Sequence, residues 1–197
     1  VLVAVNSPVV RGGAESDLGS EARRLSWTIV ALKTLAVVQR GQLPAGVSGG
    51  DAMWVDEDAK TLFWGSYKKV SLGKKTLGYA VLEIDLKTSQ VKRQFPLSES
   101  PQQLVLIPET GMLWVSLSNQ LQGISMETAQ ICYQFNWGVL SMCSVGDGRL
   151  GVSVFRGLTE KGRGAGIAVL GQKGEITTKW IGNYGPLVAA VLREPVQ

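Results

Sequence analysis

The sequence predicts an all-β fold built from repeated units of four short antiparallel strands. Three observations predict it. Glycine is abundant, 24 in 197 residues, and a chain so rich in turns favours strands over a helix bundle. A short apolar–turn–apolar hairpin recurs along the chain. A second apolar motif recurs upstream of each hairpin, which marks a repeat architecture.

The hairpin is clearest in two copies. Ile84-Asp85-Leu86-Lys87-Thr88-Ser89-Gln90-Val91 matches Ile124-Ser125-Met126-Glu127-Thr128-Ala129-Gln130-Ile131 at both apolar ends, the central apolar residue, the Thr and the Gln. Val169-Leu170-Gly171-Gln172-Lys173-Gly174-Glu175-Ile176 keeps the ends and a turn-forming centre, and Val30-Ala31-Leu32-Lys33-Thr34-Leu35-Ala36-Val37 keeps least. Upstream, Thr61-Leu62-Phe63-Trp64-Gly65-Ser66 aligns with Gly111-Met112-Leu113-Trp114-Val115-Ser116 and with Gly148-Arg149-Leu150-Gly151-Val152-Ser153. This alignment makes Trp64 equivalent to Trp114, both packing between sheets, and makes Ser66, Ser116 and Ser153 recurrent structural residues. A polar turn precedes each copy, and another apolar strand precedes each turn.

One unit is therefore four strands, here called a to d, repeated about every 40–50 residues. One domain over residues 1–197 is expected. Residues 51–98, 99–137 and 138–183 are three whole units. Residues 1–47 hold strands b, c and d of an earlier one, and residues 184–197 hold the first strand of a next or closing one.

Leu113-Trp114-Val115-Ser116 and Leu62-Phe63-Trp64-Gly65-Ser66, each followed by the Ile-x-apolar-x-Thr hairpin, resemble β-propeller blades of the WD40 or YVTN kind. The Gly-His and Trp-Asp dipeptides of strict WD40 repeats are missing. The resemblance implies three whole propeller blades with parts of a flanking or shared blade. It also implies an interaction scaffold, in signalling or trafficking, rather than an enzyme. The alternative is a propeller enzyme or small-ligand receptor using a central channel. The apolar a strands, with Gln102, Gln103, Ser141 and Asp51 near their ends, offer such a channel few polar groups. Residues 186–192 beside residues 1–6 would close a small ring. The abrupt ends and the Val1 start instead favour a segment of a larger ring in a longer protein.

Composition narrows the chemistry. Histidine is absent, so a Ser-His-Asp triad, a Cys-His pair and a His-containing metal site are excluded within this segment. Cys132 and Cys143 read as small buried hydrophobes, and no cofactor is expected. Two cysteines and no permitted Asn-x-Ser/Thr acceptor point to an intracellular, cytoplasmic setting. No apolar run reaches the roughly 18 residues of a spanning helix. Asp51, Asp56, Asp58 and Asp147 lack calcium-loop spacing. Gly12-Gly13 and Gly162-Arg163-Gly164-Ala165-Gly166 open no helix that would make them a phosphate cradle. The long polar segment 7–25 reads as a mobile loop, with room for a helical turn over 15–24.

Charge divides by side. In this architecture the b–c and d–a loops share one side, and the a–b and c–d turns share the other. The net charge is +4. The b–c loops at 67–77 and 156–164 carry Lys68, Lys69, Lys74, Lys75, Arg156, Lys161 and Arg163 against Glu160. The opposite turns carry Asp56, Glu57, Asp58, Glu109 and Glu127 with few compensating cations. The basic residues are the candidate contacts for an acidic partner. An acidic protein segment, a phosphoinositide surface and nucleic acid all fit that chemistry, and no motif selects the last two. Trp27, Trp137 and Trp180 fall near the rim, where an exposed one would anchor a partner.

Overall fold

The computed structural model describes residues 2–6, 26–31, 33–43, 47, 52–66, 70–72, 75–159, 161 and 164–182. Segment 7–25 and the strand expected at 186–192 lie outside the described residues. The chain forms two compact units, Val1–Ser100 and Pro101–Gln197.

The first unit holds two main sheets. In the first sheet, β1 (Leu2–Asn6), β2 (Ser26–Val30) and β3 (Val37–Gln42) pair in order. In the second, β4 (Met53–Asp56), β5 (Thr61–Ser66), β8 (Tyr79–Asp85) and β9 (Val91–Leu97) do the same. Between β5 and β8 the chain makes a separate hairpin, β6 (Val70–Leu72) and β7 (Lys75–Leu77), where the sequence suggests only a loop. Val70-Ser71-Leu72 alternates in polarity and pairs with Lys75-Thr76-Leu77, Val70 opposite Leu77, in a two-stranded ladder. The second unit holds a third sheet, β10 (Gln103–Ile107), β11 (Met112–Ser116), β12 (Leu121–Ser125) and β13 (Ile131–Phe135). Its fourth sheet is β14 (Gly138–Gly146), β15 (Arg149–Arg156), β16 (Ala165–Leu170) and β17 (Ile176–Gly182). Every described pairing is antiparallel, and each joins strands consecutive in the chain except β5 with β8, between which the β6–β7 hairpin is inserted.

The c–d turn is built alike in three sheets. The Ala31, Asp85 and Ser125 amides donate to the Ala36, Gln90 and Gln130 carbonyls. Leu35, Ser89 and Ala129 take the left-handed conformation, with φ of 54°, 57° and 58°. A bulge precedes each turn, between Ile29 and Val30, Glu83 and Ile84, and Gly123 and Ile124. Side chains fix the two better-conserved copies. Asp85 Oδ1 accepts from the Lys87 and Thr88 amides, and Ser125 Oγ accepts from the Thr128 amide. The fourth turn is one residue tighter, with the Gly171 amide bonded to the Glu175 carbonyl and Gly174 left-handed at φ 71°. A left-handed leucine costs on the order of 1 kcal/mol, so Leu35 sits in the least favourable of these turns.

These turns set the register, and the register corrects two alignments. Leu62 faces Ile84, Leu113 faces Ile124 and Leu150 faces Leu170, each one residue before its turn. Trp64 lies two residues beyond Leu62, whereas Trp114 lies one beyond Leu113. The two tryptophans thus point to opposite faces of their sheets and are not equivalent; Phe63 is the counterpart of Trp114. Leu170, not Val169, matches Ile84. A one-residue slip reverses every side chain because the strand period is two.

Packing follows from those faces. In the first unit, Trp27 and Ile29 of the first sheet meet Leu62, Trp64, Leu82 and Ile84 of the second. Each fully buried aliphatic side chain contributes about 1.5–3 kcal/mol. Gln39 Nε2 donates to the Leu86 carbonyl at 2.6 Å, tying β3 to the next sheet's turn. On the far side of the second sheet, buried Glu83 pairs with Arg93, whose guanidinium lies 5.5 Å from the Phe95 ring centre. In the second unit, Trp114 stacks on Tyr133 at 5.8 Å and Phe135 on Trp137 at 4.5 Å. The Tyr133 ring lies against Gly174, and Gln103 Nε2 donates to the Leu140 carbonyl, so the third and fourth sheets pack together. The fourth sheet buries Leu150, Val152, Val154, Ala168 and Leu170 on one face.

Gly123 stands directly opposite Trp114, and a Cβ there would come within 2.9 Å of the indole. Gly123→Ala is expected to cost about 1–3 kcal/mol by overpacking, read as a lower urea midpoint at unchanged slope. Asp85 gives a second prediction. The Thr88 amide hydrogen bond, aided by Lys92 at 3.2 Å, holds its carboxyl below the ordinary 3.8. A depressed pKa means stabilisation that is full above the unfolded-state value and lost as pH falls through the folded one. The destabilisation caused by Asp85→Ala should therefore be constant near neutrality and shrink below pH 3.8 in acid-titrated thermal melts.

Candidate partner-binding surface

In the second unit the b–c loops gather at one end of the sheets. The β11–β12 loop is short, and the Leu117 amide closes it on the Gln120 carbonyl at 2.8 Å. The β15–β16 loop begins after Arg156 and is pinned by buried Leu158, whose amide reaches the Gly164 carbonyl at 3.3 Å. Arg156 Nη2 donates to Asn119 Oδ1, which links these two loops across neighbouring sheets. Lys161 is exposed in the same β15–β16 loop. The a–b turns lie at the other end, where Thr110 meets Gly148 and Gln172 Nε2 donates to the Asp147 carbonyl at 2.9 Å.

Of the seven sequence-predicted contacts, Arg156 and Lys161 are thus brought to one end of the fourth sheet. Lys75 is placed by its backbone as the first residue of β7, in the b–c insertion of the second sheet. Lys68, Lys69, Lys74 and Arg163 lie outside the described residues.

At the a–b and c–d turns of each unit, acidic groups meet local partners. Asp147 pairs with Arg149 at 3.1 Å, Asp85 with Lys92 at 3.2 Å, and Asp56 Oδ1 accepts from the Ala59 amide at 2.9 Å. Glu109 and Glu127 are exposed. Cys132 is exposed too and Cys143 half-buried, rather than both buried, because Cys132 lies on the outer strand of its sheet. Among the described residues, no group of three His, Cys, Asp or Glu is placed to hold a metal ion.

The rim tryptophans separate by burial. Trp27 and Trp137 are 0% and 5% exposed, whereas Trp180 is 51% exposed. Trp180 pairs with Ile167, which pairs with Ser153, so Trp180 shares a sheet face with Phe155, two residues beyond Ser153. Phe155 is 45% exposed and its ring covers Gly138; the Trp180 ring covers Gly182. Exposed aromatics thus lie toward the b–c end of this face, whereas Arg156, one residue beyond Phe155, falls on the opposite face, from which it reaches Asn119 of the third sheet. Asn119 and Phe155 are the members that charge counting misses. Strand alternation alone leaves Phe155 ambiguous, and the Asn119 contact depends on how the sheets stack. Ser66, Ser116 and Ser153 are at most 1% exposed, near the ends of their b strands.

No family model matches this sequence, and no curated protein does. Solved structures do match. BamB from Moraxella catarrhalis superposes with a TM-score of 0.53 at 10% identity, over 78% of this chain and 43% of that one. Kuenenia stuttgartiensis hydrazine synthase gives 0.55 at 15% identity, over 80% and 46%. The computationally designed Ika8 protein gives 0.55 at 9% identity, over 87% and 50%. The fold is a β-propeller's. Propeller likeness at this identity fixes architecture alone. The chain spans about half the length of these three propeller chains. No helix among the described residues is long and apolar enough to cross a membrane.

Gly157 supports the Arg156 end. It is left-handed at φ 106°, and a Cβ there would strike the Asn136 carbonyl and lie 3.0 Å from the Trp137 ring. Gly157→Ala is expected to lower stability by about 1–3 kcal/mol and to broaden the Trp137 indole signal in proton–nitrogen NMR spectra, while Gly146→Ala, in open space, costs less.

Proposed function

We propose that this chain is a non-catalytic interaction module, a propeller scaffold within a larger intracellular protein, that holds an acidic protein segment at the b–c side of its sheets. The observation that carries this reading is the placing of Arg156 and exposed Lys161 at the b–c end of the fourth sheet, with exposed Phe155 and Trp180 toward the same end on the sheet's other face. Arginine and large aromatics are the side chains that dominate interface energetics. The aromatics supply apolar anchorage, and the cations choose the sign of the partner and speed its encounter. Lys68, Lys69, Lys74, Lys75 and Arg163 extend the basic character along the b–c loops of the sequence. The absence of histidine removes the commonest general base, which supports binding rather than catalysis.

A second reading is favoured by the third sheet. Its face bearing Trp114, Tyr133 and Phe135 is covered by the fourth sheet. The matching face of the fourth sheet, with Ile167, Val169 and Trp180, would then seat a further sheet instead of a peptide.

A glutamate-rich peptide titrated against the intact chain at several salt concentrations tests the first reading. Replacing Arg156 and Lys161 with Gln should weaken binding several-fold and flatten its salt dependence, as loss of screened ion pairs requires. Unchanged affinity and unchanged slope in that variant would end it. Binding of an apolar partner that survives the replacement but fails in Trp180→Arg would favour the second reading.

A further inference from the structure

The c–d turn of the first sheet departs from its sisters in one respect. Leu35, Ala36, Val37 and Val38 form an unbroken apolar run, and all four are exposed, Leu35 by 75%, Val37 by 47% and Val38 by 64%. The corresponding residues elsewhere are Ser89-Gln90-Val91-Lys92 and Ala129-Gln130-Ile131-Cys132. There the residue opening the outer strand is apolar, and a polar Gln precedes it. The first sheet replaces Gln with Ala36 and the following Lys or Cys with Val38. Four successive exposed apolar residues oppose solubility unless something covers them.

The same strand offers an open edge. β3 ends its sheet, and no described strand pairs with its outer side. The outer strand of the second sheet is guarded by Lys92 and by Pro96, which lacks an amide to share. In β3 only Arg40 serves that purpose. Exposed Lys33 and Arg40 flank the apolar run, and residues 26–43 contain no carboxylate. An apolar patch with basic flanks also fits an anionic membrane. Burying an unpaired strand edge in lipid, however, leaves backbone groups without partners, which is costly. A strand from another protein satisfies those groups and covers the valines at once.

We propose that β3 is a docking edge for an extended acidic segment of a partner protein, which adds to the first sheet as an outer strand. Val37 stands opposite Val30 and Arg40 opposite Thr28, so across the bulge at Val38 they share one face, and the segment would carry an apolar residue and a carboxylate on one face of its own. This edge shares no residue with the Arg156–Lys161 end.

The test uses the whole chain and the peptide Thr-Val-Thr-Glu-Thr-Val-Thr-Glu at millimolar concentration. Two controls accompany it, a version with Lys for Glu and vesicles of phosphatidylserine with phosphatidylcholine. The Glu peptide should slow amide exchange along Val37–Gln42, and its affinity should fall at least tenfold in Val37→Lys and in Arg40→Glu. Arg40→Glu should gain affinity for the Lys peptide. Leu35→Asn, which suits the left-handed turn, should hold or raise the melting temperature and so report that lost binding is not lost folding. The Arg156 and Lys161 replacements should leave this binding unchanged. Absence of protection in β3, equal binding by Arg40→Glu, or vesicle binding without peptide protection would each overturn the proposal.

Discussion

The bulged c–d turn is the constraint on which the rest of the structure depends. It places one left-handed residue, closes one amide onto the carbonyl five residues on, and so fixes which side of strand c faces which neighbour. Strand b inherits that choice through its pairing with c, and strand a inherits it through b. Once Leu62 is set against Ile84, Trp64 must meet the first sheet. Once Leu113 is set against Ile124, Trp114 must turn the other way and stack on Tyr133. The inter-sheet cores are consequences of three such turns and the tighter one of the fourth sheet.

Much of this architecture was legible in the sequence, because turn chemistry is local. Asp85 with Thr88 and Ser125 with Thr128 hydrogen-bond their own backbone, so the hairpins announce themselves without tertiary help. Even the degenerate copy at 30–37 adopts the common turn. Register was not legible, for a physical reason. Strands β5 and β11 are buried on both faces along their whole length. A strand buried on both faces shows no polar alternation to mark its sides. Two tryptophans one position out of step then look identical. The hairpin at β6–β7 was hidden differently, because the lysines beside it read as a solvated loop.

The candidate surface was half legible. Arg156 and Lys161 stood out because charge in a loop is visible in a string of letters. Which rim tryptophan stays exposed was not, since Trp27, Trp137 and Trp180 all sit in ordinary strand contexts. Stacking decides it. Trp137 lies on Phe135 and Trp27 over Gly41, whereas Trp180 lies over Gly182 on the outer strand of its sheet. The exposed run at Leu35–Val38 was likewise present as letters. It becomes notable only when the sister turns supply the residues that this position normally carries.

The indoles have a consequence for spectroscopy. Three of the six, Trp27, Trp54 and Trp64, belong to the first compact unit, and Trp114, Trp137 and Trp180 to the second. Trp27 keeps its ring nitrogen buried without a described partner, in a cluster of buried apolar side chains. Its emission should lie at the blue end of the indole range and Trp180's at the red end. The intrinsic fluorescence of the folded chain is thus a two-colour signal, whose blue component carries Trp27 of the first unit and whose red component is led by Trp180 of the second.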